Sequence, residues 1–305
     1  MVKEIKIVFA GLEQGGKTSI IRTLERKKYV VEELKPTKGI ERCQINVLDY
    51  VINEWDFGGQ AEFRKQYLEK KEMFYDTDLL FYVIDILDVD KFSDAINYYK
   101  NILEILREHD PKPPIVILLH KCEKTEEIQD KKIKELKDLI LSASNSFEVE
   151  FFKTTIYESQ TLMNAFSHGI NKISDKANEL SEQLKELSAE TFADALILIE
   201  SNGFILGEYT KDEESRKMVM FIYDYLIGPI SYMYKNLQSG EKPERILFDW
   251  KNKGYAFLDS TKIGDFEFFF IKYSKNPRKI VQKFVLRSML RSSEQIKGII
   301  KAYFG

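Results

Sequence analysis

Gly11-Leu12-Glu13-Gln14-Gly15-Gly16-Lys17-Thr18 places a glycine, four residues and then Gly-Lys-Thr in a row. That spacing is the phosphate-loop pattern. Glycines let backbone N–H groups wrap a polyphosphate. The Lys17 ammonium can reach the β- and γ-phosphates, and the Thr18 hydroxyl can ligate Mg²⁺. The loop and Ser19 after it form one candidate nucleotide-binding run. A chance glycine-rich turn would use the same letters. Its context argues otherwise: Ile5-Lys6-Ile7-Val8-Phe9-Ala10 reads as a short buried strand, and Ser19-Ile20-Ile21-Arg22-Thr23-Leu24 as the opening of a helix. A helix start there aims its positive dipole end at the phosphates.

Further residues fit the same chemistry. Thr37 follows Pro36 in a polar stretch, where a nucleotide switch closes a hydroxyl over Mg²⁺ and the γ-phosphate; an ordinary loop threonine is the competing reading. Asp56 ends a strand in Trp55-Asp56-Phe57-Gly58-Gly59-Gln60. A carboxylate there can hold Mg²⁺ through water. Gly59 can offer its backbone N–H to the γ-phosphate, and Gln60 can orient the attacking water. A β-turn with two glycines is the plainer alternative. His120-Lys121-Cys122-Glu123 follows another strand. The Glu123 carboxylate can accept from the guanine N1–H and exocyclic amine, which adenine lacks, while the Lys121 stem packs on the base. The alternative is a charged loop. Thr154-Thr155-Ile156 follows the last strand of this region, placed to support the base from its other side.

The elements that must position these residues alternate. Gln44–Leu48 and Tyr50–Trp55 are close enough for a hairpin. Leu79–Ile84 and Ile115–Leu119 are continuous apolar runs, as in strands buried on both faces. Phe92, Ile96, Tyr99, Leu103 and Leu106 recur at helical spacing, as do Ile128, Ile133, Leu136 and Ile140. The expectation over residues 1–176 is an α/β domain with a mainly parallel sheet, binding its ligand at the carboxyl ends of the strands. Lys176 to Glu190 reads as a helix that begins a second domain or links to it. The hairpin signal Ala195–Ile199, Asn202-Gly203, Phe204–Leu206 follows. A helix near 213–235 comes next, with Gly228-Pro229 expected to kink or interrupt it. Strands at 245–248, 255–258 and 266–271 and a helix from about 277 to 304 complete an α+β domain over 177–305.

The chain has 305 residues, 44% of them hydrophobic and 31% charged, enough apolar mass for two cores. A net charge of −3 gives no general pull toward nucleic acid. Cys43 and Cys122 make no disulfide framework. Met1-Val2-Lys3-Glu4 does not read as a signal peptide, Val2 excludes myristoylation, and Phe304-Gly305 lacks a prenylation cysteine. A cytoplasmic location is therefore expected, with any membrane recruitment through a partner and no direct anchor. From Lys275 onward there are eight Lys or Arg and one acid, Glu294. A basic amphipathic helix touching anionic lipid is one reading; a solvated face over a buried stripe is the plainer one. His109, His120 and His168 form no metal pattern, and there is no Ser-His-Asp set.

Taken together, the chain resembles the Rag/Gtr small GTPases. The residues that carry the likeness are Trp55–Gln60, His120–Glu123, the stretch Phe74 to Asp85, and Thr154-Thr155-Ile156-Tyr157 followed by Ala165-Phe166. His-Lys in place of Asn-Lys is a mark of that family. So is a second α+β domain of roadblock or longin-like type, and the likeness covers the whole chain. The phosphate loop and Pro36–Ile40 look closer to Arf-like proteins, as in an early-branching, archaeal-like member. Two departures stand out. Glu123 occupies the family's Asp position and moves the carboxylate out by a methylene. Glu13 occupies a glycine position of Ras-like loops and is expected to point away from the phosphate.

The resemblance implies a guanine-nucleotide switch that binds GTP or GDP with Mg²⁺ and hydrolyses GTP slowly. Lys17 neutralises charge, Thr18 and Thr37 ligate Mg²⁺ with support from Asp56, and Gln60 positions the water. No arginine stands where a finger would act in cis; Arg42 near the first switch carries no such mark. The resemblance also implies pairing through residues 190–305, with itself or a paralogue, and roadblock-type scaffolds or exchange and activating factors as partners. A rival reading is a non-hydrolysing scaffold whose GTPase-like domain is a dimer arm.

Overall fold

The computed structural model describes residues 3–24, 40–47, 50–57, 60–108, 110–124, 127–200, 203–237, 243, 245–250, 253–263, 266–275 and 298. The polar stretch containing Thr37, the pair Gly58-Gly59 and the expected helix at 277–304 lie outside them. Two compact units, Met1–Ala165 and Phe166–Gly305, make up the chain. This division falls within one helix, whereas the sequence places it after residue 176.

The first unit is built on six strands: β1 (Lys3–Gly11), β2 (Ile40–Val47), β3 (Tyr50–Phe57), β4 (Leu79–Asp85), β5 (Ile115–His120) and β6 (Val149–Thr154). Their order is β2-β3-β1-β4-β5-β6, and every pairing is parallel except β2 with β3. The expected hairpin is the β2–β3 pair. The helices are α1 (Lys17–Leu24), α2 (Ala61–Glu69), α3 (Phe92–Leu106) and α4 (Glu127–Ala143), and α5 (Ser159–Ile173) is the helix in which the division falls. β4 and β5 are apolar along their length because both faces are covered. On α3, Phe92, Ala95, Ile96, Tyr99, Ile102, Leu103 and Leu106 form one buried face at helical spacing. They pack with Tyr82 of β4, Ile117 of β5 and Ile133, Leu136 and Ile140 of α4. Each such side chain contributes about 1.5–3 kcal/mol by leaving water. Two of the buried tyrosines find partners for their hydroxyls: Tyr82 donates to the Ala95 carbonyl at 2.6 Å, and Tyr99 meets the Ser144 hydroxyl at 2.8 Å.

Beyond α2, the chain is stapled to β1. The Lys6 ammonium donates to the carbonyls of Met73 (2.9 Å) and Tyr75 (2.7 Å). The Lys6 amide donates to Asp78 Oδ2 at 2.8 Å, and the Asp78 amide returns a bond to the Lys6 carbonyl at 2.9 Å. Phe74, fully buried, fills the space beneath.

The second unit carries five strands: β7 (Ala195–Glu200), β8 (Ile205–Thr210), β9 (Arg245–Trp250), β10 (Gly254–Ile263) and β11 (Phe266–Ser274). All pair antiparallel in the order β8-β7-β11-β10-β9. α6 (Asp175–Thr191) begins at Ser174, whose hydroxyl caps the Ala177 amide at 3.2 Å. It belongs to this unit: Leu180 and Leu184 lie so close on β8 that a Cβ at Gly207 would meet Leu180 at 2.9 Å. On the opposite face, Val219, Ile222 and Tyr223 of α7 (Glu213–Asn236) pack on Ile197, Ile199, Leu258, Phe269 and Ile271. Asp212 caps α7 by accepting from the Ser215 amide at 2.8 Å. Of the kink or interruption expected at Gly228-Pro229, the interruption is absent: α7 runs unbroken to Asn236. Proline removes one backbone bond; the buried face continuing through Ile230 holds the helix to the sheet on both sides of it.

Candidate functional site

The carboxyl ends of the parallel strands meet in register. Gly11 of β1 lies beside Val83 of β4, Asp85 beside His120 of β5, and His120 beside Thr154 of β6. The phosphate-loop sequence leaves the sheet at this edge and enters α1. Gly11 has φ 148° and a Cβ there would sit 2.3 Å from the Val83 carbonyl oxygen, so no side chain fits. Gly16, at φ 93°, is closed off by the His120 ring. Gln14 also takes a left-handed conformation, at φ 61°. The Gly15 amide donates to the Leu12 carbonyl at 3.4 Å and the Ile20 amide to the Gly16 carbonyl at 2.9 Å, closing the turn and starting α1.

Lys17, at the first position of α1, is 6% exposed. Its ammonium donates to the carbonyls of Gly11 (3.2 Å) and Leu12 (2.9 Å). A buried cation is costly unless its hydrogens are used, and here the loop itself supplies acceptors. The ammonium thus stands across the mouth of the glycine loop. Thr18 and Ser19 are half-buried beside it. Glu13 is exposed and lines a hollow between the loop and the start of α3, with Val83, Asp85, Asp88 and Lys91. The Lys91 ammonium is held charged above its ordinary range chiefly by Asp88 at 2.8 Å, with Glu13 and Asp85 adding attraction.

The run His120–Glu123 is ordered around the same edge. His120 is 2% exposed. Its Nδ1 lies 3.1 Å from the Thr154 hydroxyl. Burial, reinforced by the neighbouring Lys121, pushes its pKa down to about 4, so the ring is neutral. Its position is therefore under the loop, not at the surface. Lys121, at φ 66°, donates to the Gln14 carbonyl at 2.9 Å and to Asp85 Oδ2 at 2.6 Å. This ties its head to the phosphate loop and lays its stem along the loop's flank. Asp85, which sequence reasoning did not assign to the site, takes that ammonium and also accepts from the Leu87 amide at 3.0 Å. A carboxylate closing an otherwise apolar strand was the available signal. Glu123 sits exposed in the short turn Cys122–Lys124. Thr155 is buried and Ile156 half-buried; the Thr161 hydroxyl fixes their turn by accepting from the Thr155 amide at 3.1 Å and donating to the Glu158 carbonyl at 2.7 Å.

Gln60 is half-buried at the start of α2, and its side chain makes no capping hydrogen bond. Its carbonyl accepts from the Arg64 amide at 3.0 Å. Asp56 pairs in register with Phe9, which places it on β3 beside the approach to the loop. Thr37 and Gly59 lie outside the described residues. Among the described residues no group of three His, Cys, Asp or Glu could hold a metal ion. The Thr18 hydroxyl at the start of α1 is a hard oxygen of the kind that suits Mg²⁺ completed by phosphate oxygens. The glycine cradle and the Lys17 ammonium suit a polyphosphate. No helix among the described residues is long and apolar enough to cross a membrane.

Comparison with known proteins gives a consistent result. Residues 6–227 match the Gtr1/RagA G protein conserved region. The GTP-binding protein gtr1 of Schizosaccharomyces pombe is 27% identical over 215 residues, 68% of this chain and 69% of that protein. Ras-related GTP-binding protein A of Dictyostelium discoideum is 28% identical over 208 residues, 66% and 68% of the two chains. The rat Ras-related GTP-binding protein B is 27% identical over 184 residues; these are 59% of this chain and about half, 49%, of the rat protein. A solved structure of the Arl6 BBS3 small GTPase from Trypanosoma brucei, with a bound nucleotide analogue, aligns with 56% of this chain and 98% of its own at TM-score 0.48 and 16% identity.

Proposed function

The chain belongs to the Gtr1/RagA G-protein family, and from that premise we propose that it is a Rag-like switch that binds GTP and GDP with Mg²⁺ and hydrolyses GTP slowly. The observation that carries the reading is Lys17, buried across the glycine loop at the carboxyl ends of β1, β4 and β5. A γ-phosphate offers its oxygens to the same ammonium that the Gly11 and Leu12 carbonyls now hold. Charge-assisted bonds of that kind are among the strongest polar contacts. Mg²⁺, when bound, supplies neutralisation of the phosphate charge, with the Thr18 and Thr37 hydroxyls as ligands and Asp56 in support. Gln60 orients a water in line with the γ-phosphate, and Gly59 donates its amide to the same group. Glu123 accepts from the guanine edge, with Lys121 packed over the base and Thr155 and Ile156 behind it. With no arginine marked for the role in cis, turnover should be near ~10⁻⁴ s⁻¹.

Two measurements test this. Nucleotide released from the purified protein by denaturation should be GDP or GTP; adenine nucleotide, or none together with no binding in titration, overturns the reading. Single-turnover hydrolysis should be slow and slower still in Gln60→Leu, with GTP binding intact. A guanine-loaded protein with no turnover is instead a GTPase-like scaffold serving as a dimer arm.

Assembly through residues 190–305, with a second copy or a paralogue, is part of the same proposal. It draws support from β9, a sheet edge where Leu247 is 51% exposed. It also draws on α7, whose outward face carries Phe221, Tyr225 and Tyr232, all exposed. Unpaired edges and exposed aromatic stripes invite a partner. Light scattering on the full chain and on Leu247→Asp with Tyr225→Asp should show a dimer and a monomer respectively. The protein is proposed to work in the cytoplasm without nucleic acid. It would meet roadblock-type scaffolds and exchange or activating factors, and reach membranes through a partner.

A further inference from the structure

The outer strand of the second sheet carries a side-chain pattern that complements its own reverse. β9 ends the order β8-β7-β11-β10-β9, and among the described strands only β10 pairs with it. Its residues alternate along Arg245-Ile246-Leu247-Phe248-Asp249-Trp250. Ile246, Phe248 and Trp250 turn to the α7 face and pack against its core, the rings of Phe248 and Trp250 stacking at 5.7 Å. Arg245, Leu247 and Asp249 take the other face and are exposed. Arg245 is held in place from behind. Its Nε is bonded to Asp259 of β10, and Asp259 accepts in turn from Lys272 of β11 at 2.9 Å. The guanidinium is thereby fixed at the edge with 32% of its side chain exposed, and it has further N–H groups to offer.

Edges that keep other strands away rely on lysine, proline or a bulge. β9 contains neither residue, pairs with β10 without a shift of register, and carries one ion of each sign. Two antiparallel copies of it can meet about a twofold axis centred on any residue. Centred on Arg245 or Asp249, the axis sets like charges against each other. Centred on Ile246 or Phe248, it sets an ion against Leu247. Centred on Leu247, it brings Arg245 opposite Asp249 of the partner subunit at both ends of the contact, and Ile246 opposite Phe248 of the partner subunit on the other face. Resting on the assembly reading above, we infer that the partner is a second copy of this chain, recognised along β9 by reciprocal Arg245–Asp249 pairs about Leu247. The strand supplies both halves of the recognition, so no paralogue is required. Opposite charges and apolar side chains directly across favour that register. The bond to Asp259 orients Arg245 beforehand, which lowers the ordering cost of association.

The test is analytical sedimentation of the purified full-length chain with no other protein present. Wild type should be a dimer that loosens as salt is raised. Asp249→Arg sets arginine against arginine at both ends and should weaken self-association on the order of 10-fold or more. Leu247→Cys should give a disulfide-linked dimer under mild oxidation, because the register brings the two Cα atoms within bridging distance. Asp249→Cys should not, since each copy then faces Arg245. Wild type, with Cys43 and Cys122, is the blank. A monomeric wild-type chain overturns the inference and leaves assembly to a paralogue. A dimer indifferent to Asp249→Arg, or one that Leu247→Cys does not link, overturns it as well. If the dimer also survives Leu247→Asp with Tyr225→Asp, the assembly reading itself has failed.

Discussion

The two units bury polar and charged side chains in different places. In the first, Lys17 and His120 sit where strands leave the sheet, and loop carbonyls or a hydroxyl satisfy them. In the second, the charges lie within the sheet. Asp259 of β10 faces Arg245 directly across on β9 and is bonded to it, and the fully buried Lys272 of β11 donates to Asp259 Oδ2 at 2.9 Å. Burial pushes the Asp259 carboxyl up, but Lys272 and Arg245 outweigh it and hold it ionised. A one-residue slip of β10 would move Asp259 to the α7 face and strand both cations. The interior ions of the second unit thus specify register, whereas the Lys17 ammonium at the strand ends is held by loop carbonyls.

The largest effect that could break this comparison is on stability. Asp259→Ala leaves Lys272 buried without its carboxylate and should cost about 3–5 kcal/mol. GTP affinity should barely change. Denaturant unfolding monitored separately for each unit would check it, since two units need not melt together. Replacing Asp259 by Leu and Lys272 by Met together should recover most of the loss, because an apolar pair of similar volume is often as stable as a buried ion pair.

Next comes pH. The folded pKa of His120 is near 4 against an ordinary 6.5, so the fold favours the neutral ring. That contribution is complete above pH 6.5 and is lost as pH falls toward 4, in total about 3 kcal/mol. Stability should therefore decline already between pH 6.5 and 5, where most carboxylates stay ionised, and His120→Asn should flatten that part of the curve.

Lys17→Ala should reverse the Asp259 pattern. Calorimetry with Mg²⁺·GTP should show a loss of about 2 kcal/mol, roughly 30-fold. Unfolding without nucleotide should change less than in Asp259→Ala. Equal affinity in the two proteins would remove the phosphate site. The smallest effect expected is at Glu123: substitution by Asp should tighten GDP by less than about 1.4 kcal/mol, under tenfold. Weaker binding would mean that the turn is built around the longer side chain.

What the sequence discloses follows the same division. The phosphate loop, β4 and β5 are legible because glycine spacing and unbroken apolar runs are local signals. The order of strands 195–274 is legible for the same reason. Pro229 does not end α7, since Ile230 beside it is buried in packing that no local rule contains. Asp85 as the partner of Lys121, and His120 beneath Gly16, were not legible. Each depends on which strand ends become neighbours, and parallel strands are paired by crossovers that the letters between them do not record. The register ions are hidden likewise: Arg245, Asp259 and Lys272 look like ordinary surface charges until β9, β10 and β11 are aligned.

The Lys6 staple bears on motion. Gln60 begins α2, and the segment after α2 is pinned at Met73, Tyr75 and Asp78 to the first strand. One end of this stretch carries the residue proposed to meet the γ-phosphate, and the other is bonded to β1 through both the backbone and the side chain of Lys6. α2 therefore lies between a free-standing N-terminal cap at Gln60 and an anchor on β1 that starts at Met73. Under the proposed switch, any rearrangement that begins at Gln60 would have to be absorbed before Met73, where the Lys6 ammonium takes the first carbonyl.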